Sequence, residues 1–295
     1  MSMSVEASLA PSKAVQSGEY LSHNTTGLTI YNRFLRRQIA IVSGFAEWAE
    51  LGIEYTKFIT SPHYKGHTLP RPQAPRSIIA VPGFMADNFS LLASANYFAR
   101  LGHYPRFALT GRNIMQMNQL EEVQNAYIQT AQSTNDSVVG IGQSAGGTFA
   151  LLGAIRANEL YHEGKLPSLK KPPVANVYTL GSPIAAASFE EIYENAPNLA
   201  FKVRNLAEVC MQSDPRKDEM LTMRRYFYEQ IPSDLRVISY RSLNDRIVPS
   251  AYTQRGDVEV VNIKSPHTGM GYDIDTLLNI GTDLLEQERE NKFFS

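Results

Sequence analysis

Ser144 lies in the stretch Gly142-Gln-Ser-Ala-Gly146, which is typical of a nucleophile held on a sharp turn. A short apolar run precedes this stretch, and small residues that suit the start of a helix follow it. A serine on such a strand–turn–helix takes a strained backbone conformation, so positions two residues away must be nearly free of side chain. Gly142 and Gly146 supply those positions. The pattern therefore predicts that the Ser144 hydroxyl is presented above a sheet, at the N-terminus of a helix.

A serine hydroxyl is a weak nucleophile at neutral pH, so it needs a base that is oriented by an acid. Functional groups of parallel sheets collect where strands end. Asp245 and His267 each follow one of the last two predicted strands, which makes them the predicted acid and base. Asp234 and Asp257 are alternative acids, but they precede strands and should lie at the opposite edge of the sheet.

The reaction of a serine with a carbonyl group builds negative charge on oxygen, which two backbone N–H groups usually bind. The first predicted donor is Ala145, the residue after the nucleophile. The second comes from the loop after the first core strand, where Gly83 allows a close approach of the chain. We favour the Phe84 N–H, with Met85 as second choice. A plain turn after a buried strand is the alternative interpretation.

Strands that alternate with helices surround these residues. Short apolar runs predict strands at 77–81, 104–108, 138–141, 174–180, 237–240 and 258–262. Spacings of three and four predict helices at 90–101, 117–132, directly after Ser144, and 275–290. The alternation predicts an α/β fold with a mostly parallel sheet and helices on both faces.

Three stretches do not fit this alternation. Residues 1–27 are polar and Ser-rich, which predicts a flexible tail. Residues 28–76 combine a helical pattern with a Pro-rich connector. Residues 77–295 form the predicted catalytic domain, and residues 184–235 interrupt it with helical spacing, which predicts a helical cap or lid.

Composition and charge exclude several kinds of partner. The formal net charge of −1 over 295 residues gives no reason to expect nucleic acid or an anionic membrane. The histidines and the single cysteine, Cys210, have no zinc spacing, so we expect no metal site. No transmembrane run of about 18 apolar residues and no signal-peptide core occur, from which we expect a cytoplasmic protein.

The motifs together resemble those of α/β-hydrolases of the lipase and esterase type. Five segments carry the resemblance: Val81-Pro-Gly-Phe84, Gly142-Gln-Ser-Ala-Gly146, Leu180-Gly-Ser-Pro183, Asn244-Asp-Arg-Ile-Val-Pro249 and Pro266-His-Thr-Gly269. The resemblance covers about residues 77–183 and 236–290. Many relatives carry His-Gly where this chain has Pro82-Gly83, a change that donation from the backbone should survive.

The resemblance implies a serine hydrolase that cleaves carboxylic esters through an acyl-enzyme intermediate, with no cofactor. Ser144 would be the nucleophile, Asp245 the acid and His267 the base, while Phe84 and Ala145 would bind the oxyanion. A thioesterase or an acyltransferase with the same triad is the alternative enzyme. The alternative of another class is a non-catalytic, lipase-like binding protein, against which the intact triad argues.

The insert suggests what the substrate would be. Its apolar residues would place an apolar face over the serine and bind the acyl group of a small-molecule ester; the residues predicted to bind substrate are Phe201, Met223 and Phe227. The alternative is a rigid cap that narrows the pocket and favours short esters. The sequence makes no prediction about the oligomeric state.

Overall fold

The computed structural model describes residues 52–53, 55–65, 68–185, 213–219 and 231–293. The predicted tail, most of the predicted N-terminal helix and most of the insert lie outside the described residues. Residues 55–60, at the end of the predicted N-terminal helix, are helical. The boundaries of these three parts stay predictions.

The described strands form one parallel sheet of six strands. They are β1 (Ser77–Val81), β2 (Tyr104–Phe107), β3 (Val138–Gln143), β4 (Val174–Leu180), β5 (Arg236–Ser242) and β6 (Glu259–Ile263). Each lies where the sequence predicted a strand, with ends that differ by two residues at most. The order across the sheet is β2-β1-β3-β4-β5-β6, so the direction of winding reverses between β1 and β3. Ligands of open α/β sheets bind beyond the carboxyl ends of the strands at such a reversal.

Helices cover both faces of the sheet, as the alternation predicted. They are α1 (Leu92–Leu101), α2 (Met117–Thr134), α3 (Ala145–His162) and α4 (Ile274–Phe293). Ile79 and Val81 of β1 belong to the apolar cluster that contains α2 and α3, whereas Ile78 belongs to the cluster that contains α1 and α4. Because successive side chains of a strand point to opposite faces, the central strands are buried on both sides and read as continuous apolar runs.

The register of the central strands brings their carboxyl ends to one level. Val81 of β1 lies beside Gly142 of β3, and Gln143 lies beside Leu180 of β4. Leu180 in turn lies beside Tyr240 of β5. The loops that follow these strands therefore emerge at one edge of the sheet, which we call the carboxyl edge. The predicted nucleophile, acid and oxyanion loop all lie on those loops.

His103 is a buried histidine at the opposite edge, just before β2. It is 4% exposed, packs edge-to-face against Phe98, and accepts the backbone N–H of Arg76 at Nδ1, with 3.1 Å between the two nitrogens. Burial, helped by the positive charge of Arg76, lowers the pKa of His103 from 6.5 to about 4, although Glu288 acts in the opposite direction. The histidine is therefore neutral in the folded protein at neutral pH.

We expect His103 to destabilise the protein in mild acid. The unfolded chain binds a proton at His103 below about pH 6.5, whereas the folded chain binds none until about pH 4, so the free energy of unfolding should fall by up to about 3 kcal/mol over that window. His103→Gln keeps an acceptor for the Arg76 N–H and cannot titrate. Urea unfolding of both proteins across the window should give a shallower pH profile for the variant. Parallel profiles would contradict the expectation.

Candidate active site

Ser144 forms the sharp turn between β3 and α3 that the sequence predicted. Its backbone angles are φ 53° and ψ −131°, a conformation that side-chain-bearing residues rarely adopt and that costs about 1–3 kcal/mol. The Ser144 N–H donates to the carbonyl oxygen of Leu180 at 2.8 Å, which ties the turn to β4. The turn lies at the carboxyl edge beside the reversal between β1 and β3.

Two glycines make the turn possible by leaving room for backbone. A Cβ added to Gly146 would lie 2.3 Å from the carbonyl oxygens of both Val81 and Pro82. A Cβ added to Gly142 would lie 2.5 Å from the carbonyl oxygen of Gly146. Neither position has space for a side chain, as the sequence pattern predicted. The first turn of α3 consequently lies directly against the end of β1.

Asp245 and His267 form a buried hydrogen-bonded pair on the loops after β5 and β6. His267 Nδ1 and Asp245 Oδ2 are 2.7 Å apart, and the two side chains are 5% and 1% exposed. Asp245 Oδ1 accepts the backbone N–H groups of Ile247 and Val248, each at 2.8 Å. With its Nδ1–H donated to the carboxylate, the neutral imidazole has Nε2 as its basic nitrogen.

Gln143 holds the histidine loop beside the serine, a role that sequence reasoning missed. Its Nε2 donates to the carbonyl oxygens of His267 and Thr268 at 3.0 and 3.3 Å. Since Gln143 immediately precedes Ser144, the turn and the histidine loop are joined directly. The only sequence signal for this role is that Gln143 is the variable position of the serine motif.

The predicted acid, Asp245, reaches this edge on the loop after β5, and the turn after β4 leaves room for its carboxylate. Gly181 has a φ of +58°, and a Cβ at this position would lie 3.1 Å from Asp245 Oδ2. A left-handed glycine therefore leaves room for the carboxylate. The alternative acids are elsewhere: Asp234 lies before β5 and pairs with His162, while Asp257 lies before β6 and pairs with Arg255.

The predicted oxyanion loop passes directly beside Ser144. A Cβ added to Gly83 would lie 3.3 Å from the Cβ of Ser144. The Met85 N–H, our second-choice donor, donates to the carbonyl oxygen of Asn113 at 2.7 Å and is thus already engaged. Within the described part of the chain, the Phe84 N–H donates no hydrogen bond.

Ala145 is the first residue of α3, so its N–H lies at the positive end of the helix. The first N–H groups of a helix have no partner inside it and are available to an anion. Ala145 and Phe84 are therefore placed on the two backbone segments that meet at Ser144.

Several predictions fall on residues that the structure does not describe. Phe201, Met223 and Phe227, the predicted substrate-binding residues, lie outside the described residues. Among the residues that are described, no three His, Cys, Asp or Glu side chains are grouped so that they could hold a metal ion. None of the described helices is long and apolar enough to cross a membrane.

Comparison with known proteins gives a clear answer for the fold. No protein-family model and no curated protein matches the chain. Solved structures do match. Esterase B from Lactobacillus rhamnosis, with a C4-C4 SN3 tributyrin phosphonate, aligns with a TM-score of 0.56 at 12% identity, over 88% of this chain and 99% of that one. A study of two fungal esterases from Rhizomucor miehei gives a TM-score of 0.55 at 15% identity, over 87% and 96%. The chain has the α/β-hydrolase fold.

A lipase from Bacillus licheniformis in its mature form is also similar, with a TM-score of 0.50 at 14% identity over 74% of this chain and 94% of that one. In an α/β-hydrolase fold the nucleophile lies on the turn after a central strand, and acid and base follow later in the chain. Ser144, Asp245 and His267 occur in that order, on the loops after β3, β5 and β6.

We expect Gly146→Ala to destabilise the protein and to remove any activity of the site. The methyl group would press against the Val81 and Pro82 carbonyl oxygens, so either the turn or the oxyanion loop must move; overpacking of this kind costs about 1–3 kcal/mol or more. Gly256→Ala is the control, since a Cβ at Gly256 meets no atom within 4 Å. Thermal unfolding should separate the two variants. Equal melting temperatures would show that the contact is not tight.

Proposed function

We propose that this protein is a serine hydrolase that cleaves carboxylic esters through an acyl-enzyme intermediate. One observation carries the proposal: a buried Asp245–His267 pair, hydrogen-bonded at 2.7 Å, belongs to the same edge as the strained turn of Ser144. An aspartate–imidazole pair of this geometry orients a base, and a strained serine beside a helix N-terminus is what such a base activates.

In the first half of the proposed reaction, the Ser144 hydroxyl attacks the ester carbonyl while His267 Nε2 takes its proton. Asp245 keeps the proton on Nδ1, so that Nε2 can act as base, and it stabilises the positive ring that results. His267 then gives the proton to the leaving alcohol. The acyl group remains on Ser144 Oγ.

The tetrahedral intermediate carries its negative charge on the former carbonyl oxygen. The N–H groups of Ala145 and Phe84 would bind that oxygen, since the Met85 N–H is engaged with Asn113. In the second half, water gives its proton to His267 Nε2 and attacks the acyl carbonyl. Collapse of that second intermediate releases the acid and restores Ser144.

We extend the proposal to the insert and to the substrate, a small-molecule ester with an apolar acyl group. The described part of the insert supports a cap over the carboxyl edge. Asp214 is buried there and accepts the backbone N–H of Met117, the first residue of α2, at 2.6 Å. The start of α2 follows the loop after β2, which leaves the sheet at the carboxyl edge. The similar Lactobacillus rhamnosis structure, described with a tributyrin phosphonate, agrees with an ester substrate.

An activity screen with Ser144→Ala as blank tests the proposal. Esters of one chromogenic alcohol with acyl chains of graded length would be compared, together with the matching thioesters. We expect turnover of the esters, faster for medium chains than for acetate, and a loss of about 10⁴-fold or more in Ser144→Ala. A fluorophosphonate should label Ser144 alone. Full activity in Ser144→Ala would refute the proposal, and faster release of thiol would favour the thioesterase.

The role of the acid is tested by Asp245→Asn. The amide keeps the shape but favours the wrong tautomer of His267, so kcat should fall by up to about 10⁴-fold with little change in KM. Asp257→Asn is the matched control, because its carboxylate pairs with Arg255 at the opposite edge of the sheet. If both variants lose activity equally, Asp245 is not the acid of a triad.

A further inference from the structure

Asn113 lies in the loop between β2 and α2 and has no place in the proposed reaction. It is a polar residue with 0% exposure. Its Nδ2 donates to the carbonyl oxygen of Pro82 at 2.8 Å, and its Oδ1 accepts the Met115 N–H at 3.0 Å. Both ends of the amide are thus used on backbone groups, which is how a polar side chain is accommodated in a protein interior. The first of these backbone groups belongs to the oxyanion loop.

The backbone of Asn113 holds the same loop at its other end. The Met85 N–H donates to the Asn113 carbonyl oxygen at 2.7 Å, and the Asn113 N–H donates to the carbonyl oxygen of Ala86 at 2.9 Å. Phe84 lies between the two anchored ends and is paired with Asn113 as an isolated parallel bridge. One residue therefore makes three hydrogen bonds to the loop of residues 82–86, on both sides of Phe84.

The loop needs such external support because its own conformation is strained. Met85 has a φ of 60°, a region that few residues with a Cβ occupy. The hydrogen bond within the loop from the Ala86 N–H to the Gly83 carbonyl oxygen is 3.1 Å long. The engagement of the Met85 N–H also decides which N–H group of the loop can face a substrate.

The chain around Asn113 is in turn held by the start of α2. Gln119, in the first turn of α2, donates from Nε2 to the Arg112 carbonyl oxygen at 2.6 Å and accepts the Ile114 N–H at 2.9 Å. These two hydrogen bonds fix the backbone of the residues on either side of Asn113. A continuous set of short hydrogen bonds thus runs from a helix, through Asn113, to the loop beside Ser144.

We propose that Asn113 is the positioning residue of the oxyanion hole, which holds the Phe84 N–H at the distance where it can bind the developing oxyanion. This rests on the proposed function, since it gives the Phe84 N–H a substrate to bind. An oxyanion donor acts mainly in the transition state, and a misplacement of about 1 Å costs roughly 10²-fold in rate. Loss of Asn113 should therefore lower kcat more than it raises KM.

The test compares Asn113→Ala with Asn158→Ala. Asn158 is also 0% exposed, and its amide likewise donates to a backbone carbonyl oxygen and accepts a backbone N–H, both of Val174, at 2.9 and 3.0 Å. Val174 begins β4, at the edge away from Ser144. Asn158 also donates to Asp234 Oδ2 at 3.3 Å, so its alanine variant loses at least as many hydrogen bonds as Asn113→Ala, and both variants should melt at lower temperature. Only Asn113→Ala should lose kcat, by about 10²-fold, with KM changed by less than about threefold.

A second measurement tests binding of the oxyanion separately from turnover. A trifluoromethyl ketone forms a tetrahedral adduct with a serine nucleophile, and its inhibition constant should rise in Asn113→Ala by about the factor lost from kcat. The constant should stay near the wild-type value in Asn158→Ala. Equal kcat values for Asn113→Ala and wild type, or equal losses in the two alanine variants, would overturn the proposal.

Asn113→Ser covers the case in which the alanine variant does not fold. The serine hydroxyl can still accept the Met115 N–H two residues further on, but the shorter side chain cannot reach the Pro82 carbonyl oxygen. This variant should melt cooperatively and show the same selective loss of kcat. If neither Asn113 variant folds while Asn158→Ala does, Asn113 is purely structural and the proposal is wrong. If the wild-type protein is active and Ser144→Ala is inactive, the proposed function stands, whatever the result for the Asn113 variants. If Ser144→Ala is active, both the proposed function and the role of Asn113 are refuted.

Discussion

The contact between the start of α3 and the end of β1 is the constraint on which the site depends. The backbone of Gly146 lies so close to the carbonyl oxygens of Val81 and Pro82 that no side chain fits between them. The contact places the Ser144 turn and the loop of residues 82–86 side by side at the ends of two neighbouring strands. The reversal of winding between those strands also favours a crevice beyond their carboxyl ends. Backbone packing and the register of β1 and β3 thus set the position of Ser144 relative to residues 82–86. A catalytic site must hold such positions to within fractions of an ångström.

Strained backbone and a buried carboxylate both occur at the carboxyl edge, and the rest of the sheet supplies the stability that they require. Ser144 and Met85 both have positive φ angles, and Asp245 buries a carboxylate that is 1% exposed. The carboxylate is compensated by two backbone N–H groups and the imidazole of His267. A buried charge is tolerated only with such partners. Apolar clusters on both faces of the sheet then hold these unfavourable conformations in place.

The sequence predicted the strands and turns that show as a hydrophobic pattern or as a short motif. The four central described strands were predicted because strands buried on both faces are nearly continuous apolar runs. The half-exposed edge strands β2 and β6 were predicted from their places in the alternation with helices, and the Gly142–Gly146 spacing predicted the turn. The rule that functional groups follow strands separated Asp245 from Asp234 and Asp257 by the edge of the sheet each lies on. Asn113 and Gln143 could not be found in this way. They bind backbone carbonyl oxygens 31 and 124 residues away in the chain, and a contact between one side chain and distant backbone imposes no residue type on its partner.

The first turn of α2 connects the site to the insert. Met117 donates its N–H to Asp214, and Glu121 pairs with Arg216 through two hydrogen bonds of 2.7 and 3.1 Å. Asp214 and Arg216, in the described part of the insert, are thus bound to the start of α2. Gln119, also near the start of α2, binds the loop that contains Asn113. Residues 213–219 of the insert and the loop of residues 82–86 are thus bound, directly or through Asn113, to the same part of α2, although they are far apart in sequence. Because the start of α2 also packs against β1, the core of the fold helps to set the position of the loop of residues 82–86.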